Sequence, residues 1–328
     1  MRRAVVTAIG TYTPANVVTN FDLAERLDTS DEWIKERTLI SERHLCTPEE
    51  TTSTMCIAAA LEAVAERGLD PKEIDLVIVA TVTPDMLFPS TSNLVQEGIG
   101  AANAGAMDIL AACPGFIYAL ATATAYVQSG LHRRVLVCGG DKMSAIVDWS
   151  DRRTAVIFGD GAGAFIVEAD EDGYGVHDVI LGSDGSGAKY LYMKAGGSLH
   201  PASHETVDAG MHFIRMDGRK VYMVGIRRFT SLITDICARN GLVPTDIHCH
   251  LIHQANGRIV QEVIKRLGLD PARCPININR YGNTTDATIP LVAADARRDG
   301  LLQDGNWVLM TSFGAGFGWG SILAKWRA

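Results

Sequence analysis

Three side chains have the types and spacing to do chemistry together: Cys113, His253 and Asn283. Cys113 ends the strand-like run GAMDILAAC and is followed at once by Pro114 and the helix-like run GFIYALATATAYVQS. Proline is favoured at the first helical position and pushes the residue before it toward an extended conformation. Cys113 is therefore expected at the elbow between a buried strand and a helix N-terminus, where the positive end of the helix dipole favours thiolate over thiol. The segment fits equally well a small buried apolar thiol, the usual fate of a free cysteine. His253 follows a short apolar run in LIHQANGRI; alone, such a histidine is more often structural or exposed than catalytic. Asn283 lies among turn formers in RYGNTTDATIP, where Thr284, Thr285 or Asp286 could cap a following helix, and alone it reads as a turn residue. Together the three make a Cys–His–Asn set that serves two chemistries. In a thiol protease the histidine is a base and the asparagine orients it. In decarboxylative condensation both donate hydrogen bonds to one thioester carbonyl oxygen.

The elements that must position them alternate. Apolar strands are expected at 75–80, 106–110, 135–138, 164–168, 250–253 and 307–311, and helices at 52–67, 115–129, 220–240, 259–267 and 289–299. Continuous apolar strands between helices indicate an α/β protein whose sheets are covered on both faces. The halves echo one another: GLDPKEIDLVIVATVTP at 68–84 resembles GLVPTDIHCHLIHQANG at 241–257, and both halves close on Gly-rich strands, FGDGAGAFIVE and SFGAGFGWGSILAKW. A duplicated unit follows, 1–172 carrying the cysteine and 173–328 carrying the histidine and asparagine.

Hydrophobic residues make up 47% of the 328 and charged residues 21%, enough for a large core. Seven cysteines at irregular intervals argue for reduced thiols in a cytoplasmic protein. The N-terminal apolar run is too short for a signal peptide, and no stretch approaches the roughly 20 apolar residues of a membrane span. A net charge of -8 gives no support to nucleic-acid binding. FGDGAG has the glycines of a nucleotide loop, but a β-like run follows where a helix should open. His200 with His204, or His248 with His250, lack the partners of a metal site. No metal and no cofactor is expected.

AACPGFIYAL, LIHQANGRI, YGNTTDATIP, FGDGAGA, SFGAGFGWGS and DTSDEWIKERT, in their order and spacing, resemble the β-ketoacyl-acyl-carrier-protein synthase III family of the thiolase superfamily, end to end. Thiolases would add a second catalytic cysteine, elongating synthases a second histidine, and plant-type polyketide synthases are longer and lack these motifs. The resemblance implies a thiolase-like αβαβα layered fold and a homodimer. It also implies an acyl-CoA starter carried on Cys113, an oxyanion held by the backbone N–H groups of Cys113 and Ala315, and malonyl-acyl carrier protein decarboxylated against His253 and Asn283. Trp33, Arg37 and Arg152 match residues that line a CoA tunnel; Phe313 matches one beside the catalytic set, and Phe88 one that enters the partner subunit's acyl pocket. Arg258, Lys265 and Arg266 match a basic patch that docks the acidic acyl carrier protein. Three residues depart from the pattern: Leu39 replaces a glycine near the tunnel, Asp286 brings a carboxylate close to the site, and Met223 replaces a basic residue. They leave open a specialised condensing enzyme or acyltransferase of a secondary-metabolite or cofactor pathway. A silent carrier-binding subunit is the reading outside enzymes.

Overall fold

The computed structural model describes residues 2–327. Nine strands build its two main sheets: β1 (Arg3–Tyr12), β2 (Leu76–Ala80), β3 (Gly105–Ile109), β4 (Arg134–Asp141), β5 (Gly161–Asp170), β6 (Gly175–Ser183), β7 (Cys249–Ile252), β8 (Trp307–Gly314) and β9 (Gly318–Lys325). The first sheet runs β1-β5-β4-β2-β3 and the second β7-β8-β9-β6. In the first, β1/β5 and β5/β4 pair antiparallel and β4/β2 parallel; in the second, β6/β9 and β9/β8 pair antiparallel and β8/β7 parallel. The same sequence of pairings appears twice. Only the first sheet adds an outer strand, β3, parallel to β2.

Six helices complete the layers: α1 (Asp31–Thr38), α2 (Thr52–Arg67), α3 (Gly115–Ser129), α4 (Gly218–Arg239), α5 (Gly257–Leu267) and α6 (Thr288–Arg298). α3 and α6 lie between the sheets. Their Phe116, Ile117, Leu120, Ile289 and Val292 share one core with Ile78, Val137 and Phe165 of the first sheet and Leu251, Met310 and Ile322 of the second. α2 covers the outer face of the first sheet, and α4 and α5 that of the second. This is the expected αβαβα layering. It explains why β2, LVIVA, is buried at all five positions: a strand covered on both faces has no polar side to alternate with.

The expected bounds of α2 and α3 agree with the structure, whereas β4, β5 and β8 run longer than their apolar runs because glycines and Asp141 continue the ladder. Strand β7 stops at Ile252, so His253 stands just beyond it, not inside it. Pro114 is the cap of α3 with φ -80°, one position before the first helical residue expected of it.

Candidate active site

Cys113, His253 and Asn283 line a single cavity of about 510 Å³. All three are buried, at 8%, 0% and 5% exposure, while Arg37, Arg152, Arg153 and Arg219 line the same cavity as exposed residues. The catalytic candidates thus lie at the bottom of a passage whose mouth is rich in arginine.

Cys113 is placed by both halves. It precedes α3, and its carbonyl accepts a hydrogen bond from Ser312 Oγ on β8 at 2.7 Å. Gly314, at the end of β8, must be glycine for this approach: a Cβ there would stand 2.7 Å from Cys113 Cβ and 3.0 Å from Sγ. Gly316, two residues on, has φ +130°, a backbone that side-chain-bearing residues rarely adopt. The turn delivers the Ala315 N–H to the thiol, and the N–H groups of Cys113 and Ala315 both hydrogen-bond Sγ and favour its thiolate. These are the two donors expected of the oxyanion hole. The helix end is expected to favour thiolate over thiol, but burial outweighs it. Burial pushes the thiol well above its ordinary value, and the carboxyls of Asp286 and Asp141 add to the rise.

His253 follows β7, its N–H bonded to the Thr311 carbonyl of β8 at 2.9 Å. Its Nδ1 lies 2.5 Å from Thr288 Oγ1 at the head of α6, and its Nε2 is buried without a hydrogen-bond partner. Burial without a counter-charge pushes the imidazole down to about 3, so the ring is neutral at physiological pH. Asn283 is held by backbone bonds to Ile157 and Gly159, and its Oδ1 accepts from Thr285 N at 3.0 Å. That bond leaves the NH2 end, a pure donor, as the free end of a cavity-lining side chain.

The loop after Asn283 carries Asp286 into the interface between the halves. Asp286 N donates to Asp141 Oδ2 at 3.2 Å, and Gly139 on β4 makes room for the Asp286 carbonyl, which a Cβ would meet at 2.3 Å. Asp141 accepts hydrogen bonds from Thr81 Oγ1, the backbone and hydroxyl of Thr83, Val82 N and Thr285 Oγ1.

At the mouth, Arg37 and Arg152 approach the two-ring face of Trp33 at 4.4 and 5.3 Å, so the three expected CoA contacts converge. Arg152 also pairs with Asp28 at 2.9 Å. Phe313 is buried in the cavity wall with its ring 5.1 Å from Phe317. Phe88 is 84% exposed and does not line this chain's cavity. Leu39, expected as bulk beside the tunnel, points elsewhere: its side chain fills the space a Cβ on Gly257 would need, under α5. Its φ of +65° is the strained left-handed region for a leucine. Arg258 spends its Nε on the Glu36 carbonyl at 2.7 Å, tying α5 to α1. Arg266 pairs with Glu262 at 2.7 Å, and Lys265 is exposed on the same last turn. Met223 is 60% exposed on α4.

Sequence reasoning missed Thr288, Ser312, Arg153 and Arg219. Thr288 and Ser312 lie within recognised motifs, five residues beyond Asn283 and two before Gly314, but nothing in their type marks them as partners of His253 and Cys113. Arg219, in MDGRKVYM, is marked by no motif at all.

A family model described as 3-oxoacyl-[acyl-carrier-protein (ACP)] synthase III matches residues 107–185, and one for the C-terminal part of the same synthase matches 237–326. Curated proteins called β-ketoacyl-[acyl-carrier-protein] synthase III are similar along the whole chain. That of Chlorobium luteolum is 48% identical over 327 residues, 99% of each chain, and that of Solibacter usitatus 48% over 329 residues, again 99% of each. Among solved structures, the β-ketoacyl-[acyl carrier protein] synthase III of Thermus thermophilus superposes with a TM-score of 0.92 at 42% identity, covering 98% of this chain and 99% of that one. The 3-oxoacyl-[acyl-carrier-protein] synthase III of Aquifex aeolicus gives 0.91 at 40%, covering 98% and 100%. Fold and relatives define the class: a thiolase-fold condensing enzyme of the acyltransferase type. Within that class the chain belongs to the 3-oxoacyl-[acyl-carrier-protein] synthase III family.

Proposed function

We propose that this chain joins an acyl-CoA starter to malonyl-acyl carrier protein, releasing CoA and CO2 and initiating fatty-acid synthesis. The Cys113 thiolate attacks the thioester carbonyl, and the resulting oxyanion is held by the N–H groups of Cys113 and Ala315. Collapse of the tetrahedral intermediate expels CoA as its thiolate, leaving the acyl group on sulfur. The malonyl thioester then loses CO2. The electron pair of the broken C–C bond forms an enolate, whose oxygen takes hydrogen bonds from His253 Nε2 and Asn283 Nδ2. Its carbon attacks the acyl thioester, and Cys113 leaves as thiolate. The observation that carries this reading is the orphaned, buried Nε2 of a neutral His253 in the same cavity as Cys113 and Asn283. A histidine acting as base toward the thiol would have to hold a proton that its burial disfavours, whereas a donor to an enolate stays neutral.

Donation from Nε2 requires the ring proton there. The Thr288 hydroxyl meets both His253 Nδ1, at 2.5 Å, and the Thr285 carbonyl, at 3.1 Å, and has one proton for the two. Given to Nδ1, the shorter contact, it sets the tautomer that condensation needs.

The arginine-rich mouth with Trp33, Arg37 and Arg152 suits the adenine and phosphates of CoA. Arg258, Lys265 and Arg266 give α5 a basic face for an acidic carrier protein, although Arg258 is partly committed within the fold. β3 is an outer strand of its sheet, and Leu110, Leu87 and Phe88 beside it are 76%, 80% and 84% exposed. Such an edge and patch suit a second copy of this chain, with Phe88 reaching its acyl pocket. The scheme balances without a metal or redox cofactor, involves no nucleic acid, and suits the cytoplasm. Among the described residues no helix is long and apolar enough to cross a membrane. The halves are read as 1–172 and 173–328.

The test is mass spectrometry of the protein with a panel of acyl-CoAs, with and without malonyl-acyl carrier protein. The expected result is an acyl adduct on Cys113 that is consumed with CO2 release and a β-ketoacyl product. No adduct sinks the enzyme reading; an adduct without carbon–carbon bond formation leaves an acyltransferase. His253→Ala and Asn283→Ala should keep the adduct and lose condensation.

A further inference from the structure

Asp286 is used by none of these steps, yet it is fully buried at the start of the helix that carries the nucleophile. Its Oδ1 accepts the Phe116 N–H at 2.9 Å, and the Gly115 N–H also bonds the carboxyl. Gly115 must lack a side chain for this, since a Cβ would stand 2.6 Å from Oδ1. The other oxygen, Oδ2, is buried with no partner. Cys113 lies two residues before Gly115, so the thiol stands just ahead of the first turn of α3, whose N–H groups the carboxyl occupies.

We propose that Asp286 is a positioning residue for the nucleophile, occupying the positive end of α3 and competing with the Cys113 thiolate for it. A helix N-terminus stabilises negative charge, and its effect falls off within a turn. Two anions placed there repel one another across a dry interface. The ionisable groups facing Asp286 are Asp141 from β4 and Cys113 at the head of α3. Asp141 gathers hydroxyl and amide donors and is the better hydrogen-bonded of the two buried carboxyls. Asp286 has an orphaned oxygen, and burial with Asp141 as neighbour holds it well above the usual carboxylate range. Asp286 is thus coupled first to Asp141, and charge on Asp286 raises the proton affinity of Cys113. The consequence is a resting cysteine kept as thiol to higher pH than its two N–H donors would allow.

The inference rests on Cys113 being the nucleophile. Its test is the rate of iodoacetamide alkylation at Cys113, followed by mass spectrometry from about pH 6 to about pH 11, a range that begins below the ordinary thiol value and extends well above it. Asp286→Asn keeps the acceptor for Phe116 and removes the charge, so its alkylation midpoint should fall by about one unit. Asp286→Ala should shift in the same direction. An unchanged midpoint in Asp286→Asn overturns the inference, as does a shift confined to Asp286→Ala, which would mark a helix cap only. Failure of Cys113 to alkylate in all three proteins overturns it together with the nucleophile. A shifted midpoint without condensation activity sinks the condensation reading and leaves this one standing.

Discussion

Thr288 Oγ1 stands 2.5 Å from His253 Nδ1, so a hydroxyl at the head of α6 engages that nitrogen and leaves Nε2 as the unpartnered end of the ring. Thr288→Val removes the hydroxyl while keeping the shape. Condensation should fall about 10- to 100-fold, the equivalent of roughly 1–3 kcal/mol for a buried polar group left unpaired. Acylation of Cys113 should be unchanged, and Thr288→Ser should recover most of the loss. Single-turnover acylation and full-turnover assays separate the two steps; equal loss in both would remove Thr288 from its role.

Gly314 gives Cys113 its room. In Gly314→Ala the new Cβ would press on Cys113 Cβ and Sγ, displacing the nucleophile from the two N–H donors. Misplacement by about 1 Å costs on the order of 100-fold in rate. The adduct-forming rate should drop by that much with the fold retained by circular dichroism, and wild-type acylation would refute the argument.

Trp33 is flanked by Arg37 and Arg152 at the mouth. Trp33→Ala should raise KM for acyl-CoA about tenfold, from lost stacking and two guanidinium contacts, with little change in kcat. Steady-state kinetics with an acyl-CoA and with the same acyl group on a short thiol make the comparison, since only the CoA substrate should be penalised.

Two buried histidines give stability a defined pH dependence. His253 is held down to about 3 and His250 to about 4, both by burial, whereas unfolded histidine titrates near 6.5. Between those values the unfolded chain binds more protons, so stability rises with pH through this window and is lost as pH falls below about 6.5. Asp141 and Asp286, held above their ordinary values by burial, act with the opposite sign. Denaturant melts of wild type and His250→Gln from about pH 7 to about pH 4 isolate the histidine effect. The variant, which can still donate to the Pro244 carbonyl that His250 Nε2 meets at 3.0 Å, should lose less stability over that range. An equal loss would contradict the assignment.

Much of the fold was legible because local rules and burial agree. α2 begins on the Thr51 capping box and ends on Gly68, whose φ is +67°, so its span could be read from its punctuation. The strand LVIVA declared burial on both faces. The strand expected at 250–253 overran its end by one residue, taking in His253, because an apolar run does not say where ladder bonding stops. Leu39 looked like tunnel bulk because a sequence position has no direction; the backbone turns its side chain under Gly257 instead.

The sequence by itself determined the family, the layered architecture and the identity of Cys113, His253 and Asn283, since motif order and apolar periodicity are properties of the chain. Tertiary structure alone decided their chemical state. Whether Cys113 is thiol or thiolate depends on burial, on two N–H donors and on Asp286, which lies 173 positions away along the chain. The neutral state of His253 depends on its burial, and its Nδ1 meets one hydroxyl of α6. Electrostatic interaction acts through space, and the groups that set these protons become neighbours only when the second half folds against the first.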